Sequence, residues 1–122
     1  MVGVLVDACG WVALMDADLN LDDAMSGVVG QADLKLLDCG HLELSQLSQS
    51  RKGCLLSLLE RRCEMISDLD GLSHPDEMLI ALSSSRGWPV LTVARFLKES
   101  LVSSGGSYSE VTSGRFLRLV EA

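Results

Sequence analysis

Carboxylates occur beside the ends of predicted strands and helices, and they are the side chains of this chain most suited to chemistry. Asp7 follows an apolar run, Glu43 lies in a predicted helix, and Asp76 and Glu77 open another helix. Carboxylate oxygens are the ligands that Mg²⁺ and Mn²⁺ prefer. Each acid also has a structural interpretation: Asp7 as a helix N-cap, Glu43 as a solvated helix residue, and Asp76 as an acid stabilised by a helix dipole.

The elements that would position these acids alternate between strands and helices. Residues 2–7 are almost wholly apolar and end at Asp7, as expected of a strand buried on both faces. An acid at its carboxyl end would lie in the crevice where open α/β sheets bind ligands. Further strands are predicted at 33–38, 64–66, 90–93, 108–112 and 115–120, and helices at 8–17, 21–31, 40–49, 53–63, 73–86 and 95–102.

This alternation predicts one three-layer α/β/α domain over residues 1–122, with a largely parallel sheet. Ser113 and Gly114 would form the turn of a C-terminal β-hairpin. The chain has 122 residues, enough for one core, and 48% of them are hydrophobic. No apolar run reaches the roughly 18 residues of a membrane helix, and residues 1–7 lack a basic signal region. We therefore expect a soluble cytoplasmic protein that makes no membrane contact.

Charge and cysteine content narrow the function classes further. The net charge of −7 argues against broad electrostatic binding of nucleic acid but leaves room for a local basic patch. Cys9, Cys39, Cys54 and Cys63 form no CxxC pair and lie among apolar neighbours. We expect reduced thiols and no structural zinc site.

Four short segments, in this order, resemble the motifs of PIN-domain proteins, a nuclease-like family of toxins and RNA-processing factors. They are residues 4–8 (VLVDA), 41–47 (HLELSQL), 76–81 (DEMLIA) and 87–97 (GWPVLTVARFL). The resemblance covers nearly the whole chain. It implies the PIN-like fold and a metal-dependent endoribonuclease, of either the RNA-processing or the toxin type.

The resemblance also implies roles for the acids. Asp7, Glu43 and Asp76 would be the catalytic acids and would bind one Mg²⁺ or Mn²⁺ ion, with Glu77 the alternative third ligand. In this family the ion generates a hydroxide and stabilises the phosphate oxyanion. Because clustered carboxylates repel one another, the cation would also relieve their repulsion.

The sequence departs from the family pattern at two positions. Ala94 stands where active members have a fourth acid, and Cys9 replaces the usual small polar residue two positions after the first acid. Loss of the fourth acid implies weaker metal binding or poorer positioning of water. His74, which precedes Pro75, is interpreted as a surface residue rather than a base.

Four basic residues would contact RNA along the carboxyl edge of the sheet: Arg51, Lys52, Arg95 and Lys98. RNA is accordingly the expected partner of the nuclease. The alternative is a catalytically degenerate PIN fold that serves as a protein- or RNA-binding scaffold. It would bind a protein partner or a second copy of itself, for example through the hairpin at 108–120.

Overall fold

A computed structural model describes residues 2–16, 32–48, 60–111 and 117–121. The elements in this part of the chain, in order, are β1 (Val2–Val6), α1 (Ala8–Asp16), β2 (Ala32–Leu37), α2 (Asp38–Ser48), β3 (Cys63–Ile66), α3 (Pro75–Arg86), β4 (Val90–Leu91), α4 (Arg95–Ser103), β5 (Ser107–Val111) and β6 (Leu117–Glu121). The predicted helix at 21–31, most of the one at 53–63, the hairpin turn and the basic pair Arg51 and Lys52 lie outside the described residues.

The six strands form one sheet in the order β3-β2-β1-β4-β5-β6. The first five are parallel, and β6 runs antiparallel to β5 as the second strand of a hairpin. The predicted parallel sheet and C-terminal hairpin are therefore confirmed. Because the chain leaves β1 toward β2 and later returns to β4 on its other side, β1 and β4 flank the switch point where such sheets bind ligands.

Both faces of the sheet are covered, which explains the continuous apolar run of β1. Alternate residues of a strand point to opposite faces. Val4 and Val6 pack in one buried cluster with Trp11 of α1 and Leu44 of α2. Leu5 packs in a second cluster with buried residues of α3 and α4, among them Leu79, Leu82, Leu97 and Leu101. The three-layer arrangement is confirmed.

Helix α1 lies unusually close to β4 at Gly10. A Cβ atom at this position would lie 2.2 Å from the carbonyl oxygen of Leu91 and 2.7 Å from the amide nitrogen of Thr92. Only glycine allows two backbones to approach so closely. This contact holds the start of α1, which follows Asp7, against the end of β4.

In the described part of the chain, no helix has both the length and the apolar character required to cross a lipid bilayer.

Candidate active site

Asp7 lies at the carboxyl end of β1, where the backbone passes from strand to helix. Its amide donates to the carbonyl of Leu91 at 3.0 Å, and its carbonyl accepts from the amide of Trp11 at 3.0 Å. The residue thus occupies the N-terminal end of α1. Its carboxylate bonds two other side chains: Oδ2 accepts hydrogen bonds from the hydroxyl of Thr92 at 2.7 Å and from the thiol of Cys9 at 2.8 Å. The side chain is therefore oriented by its neighbours rather than engaged in capping.

Thr92 and Cys9 hold one oxygen of the Asp7 carboxylate and leave the other for a ligand. Thr92 is fully buried, and its hydroxyl also accepts from the amide of Ala94 at 3.1 Å. Among the described residues, no hydrogen bond reaches Oδ1 of Asp7. Burial raises the pKa of the Cys9 thiol, and the hydrogen bond to Asp7 and its negative charge raise this pKa further. Cys9 therefore remains a protonated donor at neutral pH.

The three predicted acids Asp7, Glu43 and Asp76 line one cleft of about 410 Å³. Its wall is completed by Cys9, His74, Pro75 and Ala94. These residues come from the end of β1, from α2, from the start of α3 and from the segment before α4. The structure therefore brings together acids that are separated by more than thirty positions in the sequence.

The start of α3 explains the position of Asp76. His74 is the N-cap, and its Nδ1 accepts from the amide of Asp76 at 3.2 Å, while Pro75 occupies the first helical turn. Asp76 therefore sits in the first turn, where the helix dipole favours a negative charge. Asp76 can therefore be both an acid stabilised by the helix dipole and an acid of the cleft. His74 is exposed, as expected, and it also caps the helix and lines the cleft.

Glu77 follows Asp76 in the first turn of α3. It is exposed and does not contribute to the lining of the cleft that contains Asp76. The structure thus places Asp76, and not its neighbour, beside Asp7 and Glu43.

The acids of the cleft act on one another electrostatically. The pKa of Glu43 is raised by partial burial and then by the charges of Asp7 and Asp76. The pKa of Asp76 is raised by partial burial and then by Asp7, an effect that His74 partly offsets. The cleft therefore disfavours the charged forms of Glu43 and Asp76. A bound cation would favour the charged forms and lower both pKa values.

We expect Glu43→Gln to stabilise the fold at neutral pH by about 0.5 kcal/mol, a small value because the side chain is largely exposed. The raised pKa means that the folded protein holds a proton more tightly than the unfolded chain does. The free energy of unfolding therefore falls as pH rises from the ordinary pKa of a glutamate through the raised pKa of Glu43. Below the ordinary pKa, Glu43 is protonated in both the folded and the unfolded state, so this loss is absent. The gain should therefore be present at pH 7 and vanish near pH 4, as measured by urea unfolding.

Glu77→Gln is the matched control, since it neutralises a neighbouring acid outside the cleft lining. It should give no gain at pH 7, because Glu77 lies in the first turn of α3, where a negative charge is favoured. A gain of equal size in both variants would show that the repulsion is not specific to the cleft.

The cleft is suited to a hydrated divalent cation rather than to a fully protein-bound one. In residues 2–16, 32–48, 60–111 and 117–121, no group of three His, Cys, Asp or Glu side chains is arranged to hold a metal ion. Mg²⁺ keeps several water molecules and is commonly bound through only one or two carboxylates. Asp7 with Glu43 or Asp76 meets that requirement, so the donor set fits such an ion.

Ala94 is the N-cap of α4, and its backbone is extended with φ −72° and ψ 117°. No side-chain hydrogen bond caps this helix, and the residue lines the acid cleft. The position that would carry the fourth acid in the resembled family therefore presents a methyl group to the cleft.

The two described basic residues predicted to contact RNA lie on another surface. Arg95 and Lys98 line a groove of about 520 Å³ between α4 and the C-terminal hairpin. The Lys98 ammonium is 2.5 Å from a carboxylate oxygen of Glu110, a buried residue that also binds Arg118. The Arg95 side chain is 91% exposed and pairs with Glu99 at 3.2 Å. Lys98 thus joins α4 to the hairpin, while Arg95 projects into solvent.

Sequence reasoning missed the part that Thr92 plays in the site. Thr92 lies in segment 87–97, which resembles a PIN-domain motif, but its hydrogen bond to Asp7 joins positions 85 residues apart. The sequence did contain one indication: Thr92 directly follows an apolar strand, as Asp7 follows β1. Ends of neighbouring parallel strands meet at one edge of the sheet.

Neither a scan of protein-family models nor a search of curated proteins finds a match to this sequence. The structure, in contrast, is similar to a solved one, described as the structure of the PIN domain endonuclease Utp24, with a TM-score of 0.77. The alignment covers 98% of this chain and 92% of that chain at 16% sequence identity. An identity this low establishes the fold and not the activity. The resemblance predicted from four short segments is confirmed at that level: the chain has the PIN-like fold.

Proposed function

We propose that this protein is a divalent-metal-dependent endoribonuclease whose acids are Asp7, Glu43 and Asp76. The observation that carries the proposal is that these three acids line one cleft at the switch point of the sheet. Their electrostatic coupling supports it, since Asp7 raises the pKa of both other acids. Clusters that disfavour their own ionisation in this way are more common at functional sites than elsewhere.

Each residue has a distinct part in the proposal. Asp7 would bind the ion through Oδ1, because Thr92 and Cys9 hold Oδ2 in place. Glu43 and Asp76 would approach the same ion directly or through water. Mg²⁺ or Mn²⁺ would supply an activated water and charge stabilisation for the phosphate. The carboxylates would orient that water.

RNA remains the proposed substrate, with few phosphate contacts. Of Arg95 and Lys98, Arg95 is the better placed, because it is exposed and the ion pair that it makes within the described residues, with Glu99, lies on the surface of the same helix. Lys98 is engaged by Glu110. With a net charge of −7, the affinity for RNA should fall only weakly with salt.

The proposal is tested by incubating the purified protein with a single-stranded and a hairpin RNA, with Mn²⁺ or with a chelator. We expect internal cleavage of at least one RNA that depends on the ion. If Mn²⁺ binds and neither RNA is cut, the ribonuclease assignment is wrong for these substrate classes and the scaffold alternative gains support.

A second candidate function is a degenerate PIN-like scaffold, and Ala94 is the observation that favours it. A methyl group in the cleft removes a ligand, and no tight group of three metal ligands replaces it in the described residues. A scaffold of this kind would bind its partner without needing the cation. Truncation of the hairpin formed by β5 and β6 should then abolish complex formation.

Ala94→Asp tests whether position 94 faces the proposed ion. We expect it to raise Mn²⁺ affinity about tenfold, because a carboxylate would replace a methyl group in the wall of the cleft. Without the ion it should add less than about 1 kcal/mol of stability, because repulsion from the acids of the cleft offsets part of the gain from capping the uncapped N-terminus of α4. Calorimetric titration and urea unfolding measure the two effects.

Ala94→Asn is the control, since asparagine caps a helix equally well without adding charge. It should give the full capping gain of about 1 kcal/mol, larger than that of Ala94→Asp, and leave Mn²⁺ affinity unchanged. Equal affinities in the two variants would mean that position 94 does not face the ion.

A further inference from the structure

The groove between α4 and the C-terminal hairpin combines apolar walls with cations. Its volume is about 520 Å³, within the range of small-molecule sites. Val102 of α4 and Val120 of β6 are its aliphatic walls, and Tyr108 of β5 adds an aromatic ring. The Lys98 ammonium lies 5.7 Å from the centre of that ring. These walls suit a flat, largely apolar group that is attached to an anion.

We propose that this groove binds an unpaired base of the RNA substrate, next to the bond that is cut in the acid cleft. The inference rests on the proposed function and names its substrate class: RNA that is single-stranded beside the cleavage point. Two consecutive residues join the two sites, since Ala94 lines the cleft and Arg95 lines the groove. Neighbouring Cα atoms are only about 3.8 Å apart. A strand with one phosphate in the cleft therefore reaches the groove with an adjacent nucleotide.

The charges of the groove favour a base inside it and a phosphate at its mouth. Arg95 is 91% exposed, and its pair with Glu99 is a surface pair at 3.2 Å that a phosphate displaces at small cost. Glu99 also lines the groove. Once released, its carboxylate repels phosphate but accepts hydrogen bonds from the N–H groups of a base edge. The lining therefore favours entry of a base over entry of the RNA backbone.

Only an unpaired base can enter a groove of this kind. In a duplex the bases are stacked and paired inside the helix, whereas single strands and loops can place a base against an aromatic side chain. Lys98 does not have to move, because its bond to Glu110, at 2.5 Å, joins α4 to the hairpin and keeps the ammonium beside Tyr108. The groove is thus formed by the fold before RNA binds.

The test measures the fluorescence anisotropy of a fluorescein-labelled RNA at low salt, in a chelator so that no metal-dependent cleavage occurs. One probe is a single strand of mixed sequence, and the other is the same strand paired with its complement. We expect the chain to bind the single strand about tenfold more tightly, because only an unpaired base stacks in the groove. Val102→Glu puts a carboxylate into the exposed wall of the groove and should lower single-strand affinity about tenfold.

Ser85→Glu is the matched control for the added charge. Ser85 is exposed and is the last residue but one of α3, as Val102 is of α4, and it does not line the groove. It should change single-strand affinity by less than about twofold. Tyr108→Leu keeps the groove apolar but removes the ring, and it should abolish most of the preference for the single strand.

The outcomes distinguish this inference from the proposed function. Equal single-strand affinities of the wild type and Val102→Glu overturn the inference, as do equal affinities of the wild type for both probes or no binding of the single strand. None of these results decides whether the acid cleft cuts RNA. If Val102→Glu loses affinity and Ser85→Glu does not, but the wild type cuts no RNA in Mn²⁺, the groove binds RNA and only the ribonuclease function fails.

Two further measurements cover the remaining cases. If the native chain is a dimer that Val102→Glu dissociates without a change in RNA affinity, the groove is an interface between copies and the inference is overturned. Should Val102→Glu fail to fold, ultraviolet crosslinking of the wild type to the single strand decides the matter. The crosslinked peptide should contain Tyr108, and crosslinks confined to other peptides contradict the inference.

Discussion

Asp7→Asn is expected to reduce metal-dependent RNA cleavage by about a hundredfold or more, because it removes the central charge of the cleft. Asparagine has the same shape as aspartate, and its carbonyl can still accept from Thr92 and Cys9, which bond Oδ2 in the native protein. The variant should therefore fold normally and lose only its capacity to bind the cation. Initial cleavage rates at a fixed, high Mn²⁺ concentration measure the effect.

Asp70→Asn is the control for Asp7→Asn, since Asp70 is exposed in a turn and does not line the cleft. It should cleave RNA at the wild-type rate. The Asp7 variant should also melt no earlier than the wild type, because the negative charge of Asp7 raises the pKa of Glu43 and Asp76 and its removal relieves repulsion. Retention of half the wild-type rate in Asp7→Asn would contradict the assignment of Asp7.

Gly10→Ala is expected to lower the free energy of unfolding by about 3 kcal/mol, the upper range for overpacking a well-packed core. The added Cβ would lie 2.2 Å from the oxygen and 2.5 Å from the carbon of the Leu91 carbonyl. These are backbone atoms of β4, so no side-chain rotation relieves the collision. Helix α1 must move away from β4, which would also weaken the bonds of Cys9 and Thr92 to Asp7.

Gly40→Ala tests whether the destabilisation by Gly10→Ala comes from the close approach of α1 to β4 or from replacing any glycine in a helix. Gly40 lies in α2, and the nearest atom to an added Cβ is a terminal methyl carbon of Leu36 at 3.1 Å. That side chain can shift, and alanine favours a helix over glycine by up to about 1 kcal/mol. We expect a change within about 1 kcal/mol in urea unfolding. Equal destabilisation by both substitutions would refute the close-approach explanation.

The parts of the fold that sequence predicted are those set by local patterns. The apolar run of β1 could be recognised because both faces of that strand are buried, and Asp7 follows it directly. The start of α3 was visible because Pro75 and the acids after it are typical of a first helical turn. Strand β4 was predicted too long, at 90–93, and ends at Leu91. Beyond it, the Thr92 side chain is occupied by its bond to Asp7.

The parts that sequence did not predict depend on contacts between distant residues. Nothing local indicates that the Cys9 thiol meets the Thr92 hydroxyl at 3.5 Å, because Cys9 lies at the start of α1 and Thr92 follows β4, 83 positions later in the chain. The contact of Lys98 with RNA along the carboxyl edge of the sheet stays a prediction. Its bond to Glu110 was not predicted, because only the packing of α4 on the hairpin brings the two side chains within reach.

Calorimetric titration of Mn²⁺ into the protein and into Asp7→Asn tests the central claim most directly, which is that Asp7, Glu43 and Asp76 share one cation. We expect saturable binding of one ion per chain in the wild type, and affinity weakened about a hundredfold or lost in the variant. No binding by the wild type at millimolar Mn²⁺, or equal binding by both proteins, would contradict it.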